Sequence, residues 1–152
     1  MTTGVYVTSA YGAGCSLLRI SATAGQFKAE EVYANRVMAN HHGGVVRVGE
    51  FLYGYSEGKG WVCQEFKTGK VMWEQPNFGK GSIMAADHHL YLRGEDRGSV
   101  VLLEASPQSY RATGFFEQPF RSKQQAWAHP IIAGGKLYLR DQEVLLCYNV
   151  HM

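Results

Sequence analysis

Short apolar runs alternate with polar, glycine-bearing breaks from one end of this chain to the other. The stretch from Phe51 to Gln75, FLYGYSEGKGWVCQEFKTGKVMWEQ, shows the pattern most clearly. FLYGY, WVCQEF and VMWEQ are rich in aromatic and β-branched residues, and SEGKG and KTGK carry the glycines that hairpin turns require. Three strands joined by two hairpins are therefore predicted here.

The rest of the chain repeats this unit. Tyr6 in GVYVTS, Tyr53 in FLYGYS, Tyr91 in HLYLRGED and Tyr138 in KLYLRDQ anchor it, at intervals of 47, 38 and 47 residues by subtraction of their positions. Before three of the anchors an apolar run ends in a turn: GGVVRVGE, SIMAADHH and HPIIAGG. After each anchor comes a second apolar run (CSLLRIS, GWVCQEF, SVVLLEAS, VLLCYNV), and EEVYAN, VMWEQ and GFFEQ close three of the units. A helix could be drawn weakly through AEEVYANRVMAN, but Gly25 interrupts its start and the repeat places a strand at EEVYAN. EQPFRSKQQ, residues 117–125, is predicted as a loop.

A period of roughly 40 to 50 residues built from several strands is the period of a β-propeller blade. The expected fold is thus all-β, with four-stranded antiparallel blades near residues 1–39, 40–78, 79–120 and 121–152 of a single partial domain. No inner strand precedes Tyr6 and no outer strand follows VLLCYNV, which leaves about three and a half blades. Because a ring of four to eight blades must close to protect its edges, the expectation is the end portion of a larger propeller, or a ring completed between chains through open blade edges.

FKTGKVMWEQ, with Thr68-Gly69 followed four residues later by Trp73, resembles the repeat of pyrroloquinoline-quinone-like β-propeller proteins. The resemblance implies that Trp73 packs between neighbouring blades, while Thr68 and Gly69 shape the turn. TAGQFKAEEVY and ASPQSYRATGFF, at the corresponding places, keep only aromatic residues on the outer strand. The family holds non-catalytic scaffolds, such as a lipoprotein subunit of the bacterial outer-membrane assembly machinery, and quinone-dependent alcohol or sugar dehydrogenases. The scaffold kind implies a protein or peptide partner and a periplasmic or cell-envelope location. The dehydrogenase kind implies pyrroloquinoline quinone and calcium, held by an adjacent Cys-Cys pair, a Trp and a Glu, Asn and Asp set. Cys15, Cys63 and Cys147 form no such pair, so the expectation is a non-catalytic interaction module with no cofactor or metal in this chain. Part of a quinoprotein dehydrogenase and a small-ligand or carbohydrate binder are the alternatives.

Composition narrows the rest. Fifteen basic and 13 acidic residues give a formal charge of +2 with no basic stripe, which argues against a nucleic-acid partner. No apolar run is long enough to span a membrane, and MTTGVYVTSAYG has no signal-peptide pattern. A charged fraction of 18% is low for a soluble surface and suggests that something covers part of it. The three cysteines lack CxxC spacing and read as small buried strand residues.

Several motifs fail on inspection. YGAGCS has Leu17 where a dinucleotide fingerprint needs its third glycine, and SEGKG and FGKGS, with Lys59 and Lys80, do not complete a phosphate loop. Glu30-Glu31 and Glu95-Asp96 would point to opposite faces of a strand and read as solvated edges. Asp87-His88-His89 has the composition of a turn.

The remaining histidines are His41, His42, His129 and His151. Aligned on the tyrosines, Gly44, Ser82 and His129 share one inner-strand position, and His42, Lys80 and Trp127 lie two residues earlier. These two layers share a strand face at one mouth of the central channel. His42, Lys80, Ser82, Trp127 and His129 are therefore the candidate binding residues.

Overall fold

Strand pairing is set by hairpins at every step. The computed structural model describes residues 2–150, which form fourteen strands in four antiparallel sheets and, among the described residues, no helix. The first sheet holds β1 (Thr2–Ser9), β2 (Gly14–Thr23) and β3 (Gln26–Asn35). The second holds β4 (Val45–Val48), β5 (Phe51–Ser56), β6 (Gly60–Glu65) and β7 (Val71–Gln75). The third holds β8 (Gly81–Ala86), β9 (His89–Gly94), β10 (Ser99–Glu104) and β11 (Ala112–Glu117), and the fourth β12 (Ile131–Ala133), β13 (Lys136–Asp141) and β14 (Val144–Asn149). Strands in each sheet lie in chain order, and no sheet closes on itself. The arrangement fits an incomplete propeller. The four tyrosine anchors occupy β1, β5, β9 and β13 at equivalent places. The helical alternative at AEEVYAN gives way to β3, which pairs along its length with β2.

One irregularity recurs. Where the outermost strand pairs with its neighbour, the register shifts between Leu17 and Leu18, between Cys63 and Gln64, and between Leu102 and Leu103. A bulge bends and twists the strand locally. Just before the shift, the residues opposite Leu17, Cys63 and Leu102 are Tyr33, Trp73 and Gly114. The first two reach the next sheet: the Tyr33 hydroxyl donates to the Phe66 carbonyl at 2.9 Å, and Trp73 Nε1 donates to the Ser106 carbonyl at 2.8 Å. The Trp73 ring also packs 5.9 Å from Tyr53 and edge-on to Tyr110 at 5.7 Å.

Gly69 is needed twice in the turn that Tyr33 meets. Its φ of 72° is left-handed, and a Cβ there would lie 2.6 Å from Asn35 Nδ2 and 2.7 Å from the Tyr33 ring. Thr68 donates from its hydroxyl to Glu65 and accepts from the Lys70 amide, which holds the turn shut.

The three junctions differ in chemistry. Between the first and second sheets, Gln64 is buried and binds the Tyr6 hydroxyl, Asn35 and the Gly69 carbonyl. Between the second and third lies the main apolar core of Tyr53, Trp61, Cys63, Ile83, Leu90, Leu92, Val101 and Leu103. Between the third and fourth, Val100 meets Leu137 and Leu139 beside a charged group. Buried Arg93 donates to Gln118 at 2.7 Å and to the Ala128 and Arg140 carbonyls at 3.2 and 2.7 Å. Buried Asp141 accepts from Arg121 at 2.6 Å and from the Ser122 hydroxyl and amide. This charged group fixes the loop predicted at residues 117–125.

Cys15 and Cys63 are buried, whereas Cys147 is exposed, against the expectation of three buried cysteines. Cys147 matches Cys63 in register, but no further sheet covers its face among the described residues.

Replacing a docking ring leaves a void and an unpaired carbonyl, so Trp73→Ala is expected to lower the unfolding free energy by about 3 kcal/mol. Phe27, 80% exposed, serves as control: Phe27→Ala should stay within about 0.5 kcal/mol in the same denaturant titration. Equal losses in the two variants would remove Trp73 from its docking role. A second expectation concerns acid. Burial opposes the charge of Asp141, yet hydrogen bonds from Ser122 and Arg121 outweigh it and hold the carboxyl below its ordinary range. The stability this provides is complete above the unfolded value of about 3.9 and is lost as pH falls through the lower folded value. Asp141→Asn should flatten that part of the stability–pH curve, and an unchanged slope would refute the assignment.

Candidate functional site

In an antiparallel meander, the loops entering the innermost strands and the turns joining the second and third strands emerge at the same end. That geometry brings together His41 and His42 (before β4), Lys80 (before β8), Trp127 and His129 (before β12), Glu95 (between β9 and β10) and Tyr11 (between β1 and β2). Buried neighbours set the loops. Asn40 donates to the Tyr55 carbonyl at 2.9 Å and accepts from the Gly44 amide at 3.0 Å, fixing the His41–His42 segment. Buried Ala126 and the Arg93 bond to the Ala128 carbonyl fix Trp127 on either side.

Glu95 is the hub. Its carboxylate accepts from Trp127 Nε1 at 2.6 Å and lies 3.6 Å from both Lys80 Nζ and His42 Nε2. The His42 ring lies between Trp127, tilted by 39° at 4.9 Å between centroids, and His41, edge-on at 5.0 Å. Lys80 donates to His41 Nδ1 at 2.9 Å, because an ammonium has no acceptor. His41 Nε2 in turn meets the Tyr11 hydroxyl at 2.8 Å. His129 donates from Nε2 to the His42 carbonyl at 2.8 Å, and its ring covers Gly44, where a Cβ would come within 2.6 Å of it. Burial and the nearby Lys80 charge lower the proton affinity of His42, with Glu95 opposing them.

Four of the five sequence candidates, His42, Lys80, Trp127 and His129, thus converge. Ser82 stands apart: it is buried in β8, and its hydroxyl has no hydrogen-bond partner. Glu95 was read from sequence as a solvated edge, yet it is the centre of the cluster. The signal lay in the repeat. Glu57, Glu95 and Gln142 each stand four residues after a tyrosine anchor, and each binds an entering or neighbouring loop: the Tyr11 amide, the Trp127 indole and the Gln125 carbonyl.

A cavity of about 380 Å³ opens beside the cluster, lined by Phe78, Lys80, Gly94, Glu95, Asp96 and Arg97 among others. Tyr11 and Trp127 remain 85% and 49% exposed. The surface is therefore an aromatic shelf with internally paired charges. No Ser, Thr or Cys side chain is bonded to these histidines among the described residues.

Asp87-His88-His89 is a turn, with φ of 47° at Asp87 and 61° at His88 and the His89 ring bonded to the Asp87 carbonyl. Among the described residues no group of three His, Cys, Asp or Glu side chains could hold a metal ion. His151 lies outside the described residues. Cys15 and Cys63 are buried in different sheets and form no adjacent pair.

The chain is similar in fold to BamB from Moraxella catarrhalis, with a TM-score of 0.63 and 16% identity over 97% of this chain and 41% of that one. It is also similar to a europium-containing methanol dehydrogenase, with a TM-score of 0.55 and 13% identity over 78% of this chain and 24% of that one. The chain spans less than half the length of either structure. No family model matches the sequence, and no curated protein matches it. The resemblance to pyrroloquinoline-quinone-like propellers drawn from the repeat is met by these neighbours at the level of the fold.

The geometry fixes the sign of two electrostatic effects on His42. Its imidazole should titrate below the ordinary value of about 6.5 in a proton NMR titration. Lys80→Met should raise that value, and Glu95→Gln should lower it further. A His42 titration that neither variant moves would show that the cluster does not form in solution.

Proposed function

We propose that the chain is a non-catalytic propeller module, one partial domain with blades near 1–39, 40–78, 79–120 and 121–152, that holds a protein partner at the channel mouth. The carrying observation is the pair of exposed rings at this mouth, Trp127 on His42 and Glu95, and Tyr11 on His41. Tryptophan and tyrosine dominate binding energy at protein interfaces because a rigid ring covers much area at little entropic cost. Here the polar atom of Trp127 is already satisfied by Glu95, so its exposed face can bury without stranding a donor. The adjoining cavity of about 380 Å³ can take a side chain of an extended peptide.

The likeness to BamB supports a propeller architecture, and the partner class rests on the shelf. Peptide is favoured over sugar because the charged groups are paired with one another, which leaves mainly flat aromatic surface on offer. Among the described residues the outer edges of β1 and β14 have no strand partner, which supports a second route to association, between copies or with further blades.

The test is a peptide-display selection on the full chain, followed by affinity measurements on the enriched sequences. Trp127→Ala is expected to weaken binding by about tenfold or more, a loss of the size seen at interface hot spots, while Phe27→Ala leaves it unchanged. Enriched peptides indifferent to Trp127 and Tyr11 would overturn the proposal. Pyrroloquinoline quinone with calcium is expected to leave the melting temperature unchanged, and a saturable rise would count for the dehydrogenase reading instead.

A further inference from the structure

The third outer strand departs from the other two at one residue. At the first two junctions the position after the bulge carries Tyr33 or Trp73, whose ring reaches from that sheet to the next. At the third junction the same position is Gly114, opposite Leu102 in register, as Trp73 is opposite Cys63. A cavity of about 360 Å³ stands there, walled by Tyr91, Val100, Leu102, Phe116, Leu137 and Val150. Its walls come from both sheets, and they match the Trp73 site in order: Tyr91 replaces Tyr53, and Leu102 replaces Cys63. Val150 stands three residues after the strand partner of its tyrosine anchor, as Phe66 does, and it is the Phe66 carbonyl that receives the Tyr33 hydroxyl.

We infer that this slot binds a small, free, planar aromatic molecule of indole size. The shape argument is internal to the molecule, since an aromatic side chain stands at this place in the two preceding outer strands and reaches the next sheet from it. The lining is predominantly apolar, so displacing water from it favours an apolar ring. An apolar cavity of roughly 150 Å³ already admits benzene, and this one is larger. At the first junction the acceptor of the ring's polar hydrogen is the carbonyl of Phe66, the residue that Val150 matches. The site is separate from the shelf at Trp127 and does not depend on the partner proposed above.

Indole is the probe, added to the full chain. A saturable rise in melting temperature is expected, with nuclear Overhauser contacts from indole protons to the methyl groups of Leu102, Leu137 and Val150. Gly114 has an ordinary backbone conformation, and a Cβ there would meet Leu102 at an ordinary 3.4 Å. Gly114→Trp should therefore fold, melt higher than the parent and lose indole binding, whereas Trp127→Ala should keep it. Cyclohexane, of comparable apolarity but not planar, should produce a smaller shift. The inference is overturned if indole gives no saturable shift, if Gly114→Trp binds it undiminished, or if the Overhauser contacts fall at the Trp127 face. Binding of tryptophan-bearing peptides without binding of free indole would overturn it as well. Should Gly114→Trp fail to fold, the Overhauser contacts of the parent chain decide the matter.

Discussion

Docking of an outer-strand ring into the next sheet is the interaction on which this architecture depends. A sheet of three or four short strands cannot bury both faces alone, and each must use its neighbour as cover. The bulge before Tyr33 and Trp73 supplies the twist that carries the ring across the gap, and the turn beyond supplies a carbonyl to receive its polar hydrogen. Gly69 shows how close the approach is, since its missing side chain is what allows the Tyr33 ring to lie against the turn.

Three junctions built on one plan have been finished with three kinds of chemistry. The Gln64 group joins the first pair through neutral hydrogen bonds, which ask little of pH or salt. The second pair relies on area, with Trp61, Leu90 and Leu103 fully covered. The third carries Gly114 in place of that ring, packs Phe116 on Tyr148 at 4.8 Å between centroids, and adds the charges of Arg93, Asp141 and Arg121. Ion pairs removed from water repay their desolvation only when the surrounding hydrogen bonds are complete. Nη2 of Arg93, 3.9 Å from the Asp141 carboxylate, and Nε of Arg121 have no hydrogen-bond partner in the protein, so the hydrogen bonding around these charges is incomplete.

Much of the fold could be read from the chain because the tyrosine anchors repeat at blade spacing and each sits in the same strand of its sheet. Glycine-bearing turns between apolar runs then fixed the order of pairing. What stayed hidden was context. Arg93 and Arg140 stand in the same YLR motif, yet Arg93 is buried among Gln118 and two carbonyls while Arg140 is exposed. No local pattern separates them, because the difference is made by the loop that crosses Arg93. The layers holding His42, Lys80, Trp127 and His129 were legible through alignment on the tyrosines. Glu95 shares a repeat position with Glu57 and Gln142, but adjacency to Asp96 suggested a strand edge, and its place under Trp127 is made by the meeting of a turn with three entering loops. Cys147 was misread for a related reason: burial is a property of the neighbouring sheet and is not written in VLLCYNV.

Trp127 and His129 do something no other described contact does: they leave the fourth sheet, pass the third, and touch His42 before the second. Elsewhere the sheets meet only their chain neighbours, which is the pattern of a linear array whose stability is a sum of nearest-neighbour terms. A contact between second neighbours breaks that sum. It fixes the angle at which the sheets fan around the axis, in the way a spoke fixes a rim, and whatever seats on Trp127 inherits a grip on the curvature of the whole assembly.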